Sequence, residues 1–205
     1  MRTIIAIVCL ALVLWVGPAG AQRAEYSLKV SIHEGMQTGL TQQRVEQILQ
    51  EASSLLKDRN GCDVKFRLDG SVGTFTGAPK DITNEAELEA VHRVNADIKV
   101  VESITFCKTH RRSGYIGCAW RREGRGSKTV IVTPLVAKAH ILWAHEFGHT
   151  KGLPHRAGDQ VLMTPCRISP ITVEINQHEC DCFVGRSGAH CQSRSRPNLT
   201  CAARQ

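Results

Sequence analysis

Apolar and polar residues alternate strictly from Tyr26 to His33, the two-residue period of a strand with one buried face. After Gly35 and Gly39 the period changes. Val45, Ile48, Leu49, Ala52, Leu55 and Leu56 form one stripe at helical spacing, opened by Thr41 and closed by Asn60-Gly61. Alternation returns from Cys62 to Leu68. Strand, helix and strand in that order predict a parallel pair joined by a crossover. Gly70 to Asp81 is rich in Gly, Ser and Thr, contains Pro79, and reads as a loop. Asn84-Glu85-Ala86-Glu87 reads as the cap of a short helix to about Val94. Ile98 to Val101 is a third strand. Gly114 to Trp120 is a fourth, whose glycines and basic flanks suit a sheet edge near a cleft. Val130 to Val132 is a fifth.

Thr133-Pro134 has the form of a cap and first helical residue, and predicts a helix from Pro134 to about Lys151. Ala137, Ile141, Ala144 and Gly148 keep one side of it small or apolar, which suits a helix buried on a sheet. Lys151 at its end complements the helix dipole. Val161 to Cys166 reads as a tight apolar turn. Ser169-Pro170 predicts the start of a last helix to about Cys182, with Val173, Ile175 and Cys180 as candidate buried positions. From Gly185 onward Arg, Ser, Gly and Pro dominate, and only Cys191 and Cys201 tie the chain down. No internal repeat is present in the sequence.

The pattern divides the chain into three parts. Residues 1–21 combine Arg2, an apolar run from Ile4 to Val16 and the small residues Ala19-Gly20-Ala21, the form of a secretory signal peptide. The run is too short for a typical membrane span, and no later stretch could form a transmembrane segment. Residues 22–184 are expected to form one domain, and 185–205 a basic, cysteine-containing tail. The expected location is extracellular, or periplasmic in a Gram-negative host.

Of the nine cysteines, Cys9 lies in the leader. The remaining even set, Cys62, Cys107, Cys118, Cys166, Cys180, Cys182, Cys191 and Cys201, argues for disulfides in an exported chain. Cys107 with Cys118 is a candidate local pair across a loop, and Cys166 with one of the tail cysteines is a second candidate pair. Cys180, Cys182 and Cys191 match the closing half of an epidermal-growth-factor-like module, but its opening cysteines are not in place. Asn198-Leu199-Thr200 is a glycosylation sequon, meaningful in a eukaryotic host.

The formal net charge is +7. Basic residues gather at Arg111-Arg112, at Arg121, Arg122, Arg125 and Lys128, and in the tail, where solvated loops account for them. With few aromatics and no recognisable module, no nucleic acid is expected as a partner. His140 lies on the predicted helix but outside the pattern that follows, and reads as structural. His33, His92, His110, His178 and His190 are scattered and read as surface or satisfied residues.

The chemistry concentrates at His145-Glu146-Phe147-Gly148-His149-Thr150-Lys151-Gly152-Leu153-Pro154-His155, the order H-E-x-x-H-x-x-G-x-x-H. Residues four apart share a helix face, so His145 and His149 can aim at one point. Gly152 can adopt the left-handed backbone that ends a helix, letting His155 approach from another direction. Three neutral imidazoles with a fourth position open is the pattern of a catalytic zinc site. Glu146, beside the first ligand, is placed to take a proton from water.

Read whole, this run and Met163 eight residues after His155 resemble the metzincin clan of zinc endopeptidases. The Leu-Met-x-Pro form of the turn is similar to that of the matrixins, the matrix metalloproteinases. Arg156 stands where matrixins typically carry serine, and Thr164 where several branches carry tyrosine. The resemblance implies an α/β (α+β) fold: a twisted, mixed five-stranded sheet packed on two long helices, with an active-site helix, a methionine turn and a C-terminal helix. It implies one catalytic Zn2+ held by His145, His149 and His155, Glu146 as general base and Met163 as the floor beneath the metal. Structural calcium is not evident. The implied reaction is peptide-bond hydrolysis by a zinc-activated water. The substrate would be a protein or peptide, bound along the edge strand at Ile116 to Ala119. The expected state is a monomer. No segment resembling a matrixin pro-segment lies between Gln22 and the first strand. A reading from another class is a secreted zinc-binding interaction module that keeps the site without turnover.

Overall fold

The first alternating stretch folds as two strands, β1 (Ala24–Leu28) and β2 (Val30–His33), broken at Lys29. The Lys29 N–H donates to the Asp97 carboxylate at 2.8 Å, and its carbonyl accepts from the Asp97 and Ile98 N–H groups. That junction lets one run of chain serve two sheets. β1 pairs in parallel with β3 (Val64–Leu68). β2 pairs in parallel with β4 (Gly73–Phe75) on one side and β6 (Ile98–Val100) on the other. The coordinates are a computed structural model that describes residues 23–107, 110–119, 129–134, 138–156, 158, 160–164, 173–186 and 191. The leader 1–21 and most of the tail 185–205 lie outside these residues.

The crossover from β1 to β3 is α1 (Gln42–Asn60). Thr41 caps its first turn through its side chain, and Gly61 ends it in the left-handed conformation at φ 65°. Its stripe is buried as expected, with Val45, Ile48 and Leu56 at 0% exposure. α2 (Glu85–Arg93) begins at Asn84, whose side chain accepts the Glu87 N–H.

The central sheet has five strands in the order β4-β2-β6-β10-β9, where β9 is Gly117–Cys118 and β10 is Val130–Val132. All pairings are parallel except the last, β9 against β10. A mixed five-stranded sheet is present as expected, with an antiparallel edge within the expected stretch, but the expected strand Cys62 to Leu68 pairs with β1 outside it and β4 takes its place. Gly114 to Trp120 is not one strand, however. Its first part belongs to β8 (His110–Tyr115), which pairs with β7 (Ser103–Cys107) in a separate three-stranded sheet with β5 (Asp81–Ile82). Trp120 lies outside the described residues. The Gly70 to Asp81 stretch, expected as loop, contains β4 and the start of β5. Both are very short and owe their extended form to their partners β2 and β7.

The sheet separates two cores. Val30, Ile32, Ile98, Val100, Val130 and Val132 face the larger one, shared with α1, α3 (Ala139–Thr150) and α4 (Gln177–Val184). Phe75, Val101, Cys118 and Ile131 face a smaller one, with Leu88 and Val91 of α2 and with Ile82 and Ile104.

Both late helices begin later than their Ser/Thr-Pro signals suggest. α3 starts at Ala139 after Lys138, which holds φ 73° and offers no side-chain cap. Thr133 instead continues the sheet, its N–H donating to Ile116 O at 3.0 Å. α4 starts after Asn176, which forms a full capping box with Glu179; Ser169-Pro170 lies outside the described residues. Three disulfides are described: Cys62–Cys180, Cys107–Cys118 and Cys182–Cys191. The second is the expected local pair. The first takes Cys62 out of the predicted strand and fastens the end of α1 to α4. The proposed partner for Cys166 lies outside the described residues. No described helix is long and apolar enough to cross a membrane.

Candidate metal centre

α3 is held by burial more than by its own end signals. Ile141, Leu142, Trp143, Ala144, Glu146, Phe147 and Gly148 are all buried. Its C-terminal end is closed by a Schellman arrangement. The Leu153 N–H donates to Gly148 O and the Gly152 N–H to His149 O, both at 3.0 Å, with Gly152 at φ 90°. The glycine thus performs the turn read for it from sequence. The same turn aims the Leu153 carbonyl back at the helix, where His149 Nδ1 donates to it at 2.8 Å.

His145, one turn earlier, donates from Nδ1 to Leu162 O at 2.6 Å. Leu162 and Met163 sit in a turn closed by the Thr164 N–H on Val161 O at 3.2 Å. A carbonyl can only accept, so in both rings Nδ1 carries the proton and Nε2 presents a lone pair. His149 Nε2 lies 3.1 Å from His145 Nε2 and 3.1 Å from His155 Nε2. Burial holds His145 below the usual histidine range. Desolvation of its inner edge, then the neighbouring His145, push His155 down to about 4. Neutral imidazoles are the state a metal requires.

The three histidines are therefore positioned to bind a metal. The donor set fits the ion the sequence implies. Tetrahedral bonds of about 2.0–2.1 Å would place ligand nitrogens roughly 3.3 Å apart. Lone pairs facing one another at 3.1 Å repel unless a cation lies among them.

Glu146 is directed away from solvent, at 6% exposure, against the edge strand β9. A Cβ on Gly117 would fall 2.7 Å from its Cγ, so only glycine leaves room for the carboxyl there. Desolvation raises its pKa to about 8, opposed by a hydrogen bond from the Ala119 backbone. A dication held at the histidines would draw it back down. Met163 is fully buried and packs against Gly148, where an added Cβ would lie 2.7 Å from its Sδ and 3.2 Å from Phe183 Cζ.

Of the scattered histidines, His33 donates and accepts locally, with Ala78 O at 2.9 Å and the Gly35 N–H at 3.0 Å. His140 faces Glu51 of α1 at 3.1 Å, consistent with a structural part. Three residues near the site were given no such role from the sequence. Gly117 and Ala119 house Glu146, a contact between distant elements that spacing does not reveal. Glu179, which binds Arg156, could have been found from the Asn-x-x-Glu capping box at Asn176.

No protein-family model matches the sequence, and no curated protein matches it. Among solved structures the chain is similar to metalloproteinase-II from Bacteroides fragilis, at 17% identity and a TM-score of 0.47, over 84% of this chain and 54% of that one. It is also similar to a chain in a chaperone–substrate complex, at 12% identity and a TM-score of 0.42, over 74% of this chain and 29% of that one. The chain thus spans about half the length of the first and under a third of the second.

Proposed function

We propose that this protein is an exported zinc-dependent endopeptidase of metzincin type, with residues 22–184 as its catalytic domain. The observation that carries the reading is the convergence of three Nε2 atoms, two of them freed for a metal by Nδ1–carbonyl hydrogen bonds. His145, His149 and His155 would hold one Zn2+. When bound, zinc supplies Lewis acidity that polarises a carbonyl and acidifies water.

The rest of the work belongs to the chain. Glu146 takes the proton of the attacking water and returns it to the leaving amine, a role suited to a buried carboxylate that a dication at the histidines would hold ionised. The outer edge of β9, last in the strand order and beside Glu146, pairs with the backbone of an extended peptide. Met163 forms the apolar floor of the site through Gly148. Three described disulfides suit an oxidising compartment.

Purified protein should contain one zinc per chain and cleave an unfolded protein, with loss on chelation. Glu146→Ala should retain the metal and lose turnover by about 10²–10⁴-fold. Equal inactivity of wild type and Glu146→Ala on a broad peptide library would replace the enzyme by the zinc-binding interaction module.

A further inference from the structure

The three histidines are not held alike. His145 and His149 ride on a buried helix, and each is fixed by a backbone carbonyl. His155 lies past the helix end and is exposed, and among the described residues no carbonyl takes its Nδ1. Its neighbour Arg156 is anchored twice. The Arg156 N–H donates to Met163 O at 2.8 Å. Its guanidinium forks onto Glu179, with Nε to Oε1 at 2.9 Å and an Nη2 to Oε2 at 3.1 Å.

Glu179 is a firm anchor. Its side chain is 5% exposed, and Oε2 also accepts the Asn176 N–H at 2.8 Å within the capping box of α4. α4 is itself fastened on both sides. Cys180, the next residue, is bonded to Cys62 at the end of α1. Asn60 donates to Val173 O at 3.2 Å and accepts the Ile175 N–H at 2.9 Å. Phe183 lies against Gly148 of α3, and its carbonyl accepts from Tyr26 Oη at 2.6 Å.

We propose that the Arg156–Glu179 pair is the positioning device for the third ligand, clamping the backbone after His155 between the Met163 carbonyl and the buried Glu179 so that Nε2 meets those of the two helix-borne histidines. A bidentate fork fixes direction as well as distance, which a lysine ammonium does not. Arg156 and Glu179 touch no reacting atom; they act through His155. The inference rests on the metal-site reading above.

The test is the zinc dissociation constant, measured by competition against a chromophoric chelator, for wild type, Arg156→Met, Arg156→Lys and Glu179→Gln. The visible spectrum of the Co2+-substituted proteins reports ligand geometry alongside. Arg156→Met should weaken zinc about 10–100-fold, the usual cost of losing a group that orients a ligand. It should also alter the Co2+ spectrum, with Arg156→Lys recovering part of both. If Arg156→Met fails to fold, Arg156→Lys against Glu179→Gln carries the same comparison. A lowered melting temperature of the zinc-free variants with an unchanged zinc constant would make the pair a structural staple only, and would overturn the proposal. Wild type that binds no zinc would instead remove the metal reading itself, and this inference with it.

Discussion

The two faces of the central sheet bury their residues in different ways. The face toward α1, α3 and α4 presents only aliphatic side chains from β2, β6 and β10, and the three-histidine cluster is carried on that side by α3 and the turn after it. The opposite face encloses a lysine. Lys99 of β6 is fully buried, and its Nζ donates to His92 O of α2 at 3.4 Å. Burial drags Lys99 down to about 8, with Asp97 opposing, and drags His92 to about 4, with the Lys99 charge adding to it. A polar group is expensive in such a place. The scaffold of the site thus rests on apolar packing, while titratable groups load the far side of the sheet.

Deleting packing on each face should separate the two most strongly. Phe183 is 0% exposed and lies over Gly148, so Phe183→Ala should cost about 3–5 kcal/mol and weaken zinc binding by loosening α4. Leu88, equally buried at 1% in the other core, should cost about 2–4 kcal/mol as Leu88→Ala and leave zinc binding unchanged. Denaturant unfolding together with chelator competition reads both. Equal loss of zinc affinity in the two variants would show that the faces are coupled through the sheet.

The far face should also impose a pH dependence of its own. In the folded protein His92 titrates near 4, against 6.5 for the free side chain. Between those values the unfolded chain binds the extra proton and the folded one does not. The His92 contribution to stability is therefore full above about pH 6.5 and falls as pH drops toward 4. The span is at most about 3 kcal/mol, reduced because the ring is partly exposed. His155 shifts in the same direction, so the readout is the difference between wild type and His92→Gln at each pH. That difference should narrow as pH falls through the window; a constant difference would show that His92 does not carry the effect.

The contrast also marks how far the sequence could be read. α1 was legible to the residue at its cap because its stripe, Thr41 and Gly61 all point the same way. The three-histidine cluster was legible because four-residue spacing on a helix and a glycine turn are local devices. The start of α3 was not. A helix buried on most sides has no polar face to set its limits, and Thr133-Pro134, a valid cap by local rules, was taken by the sheet through Ile116. β4 and β5 were missed for the related reason that two or three residues hold no period of their own. Glu146 against Gly117, Arg156 on Glu179 and Cys62 with Cys180 all join distant elements. Each member is visible in the sequence, but only the fold supplies the partner.

The smallest effects concern how helices begin on the two faces, and they should differ in sign. On the far face α2 opens on Asn84, whose side chain accepts the Glu87 N–H at 3.0 Å. Asn84→Ala should lose about 1 kcal/mol. On the site-bearing face α3 opens on Lys138, a residue with a Cβ held at φ 73°. That conformation costs an L-residue roughly 1–2 kcal/mol that glycine avoids, against which glycine brings a more flexible unfolded chain. Lys138→Gly should therefore gain about 0.5–1 kcal/mol in thermal or denaturant unfolding, with zinc affinity unchanged because the ligands lie a full turn or more downstream. A loss on Lys138→Gly would mean that the lysine side chain, not the backbone, governs how the site-bearing helix starts, and the two faces would then begin their helices by the same kind of device.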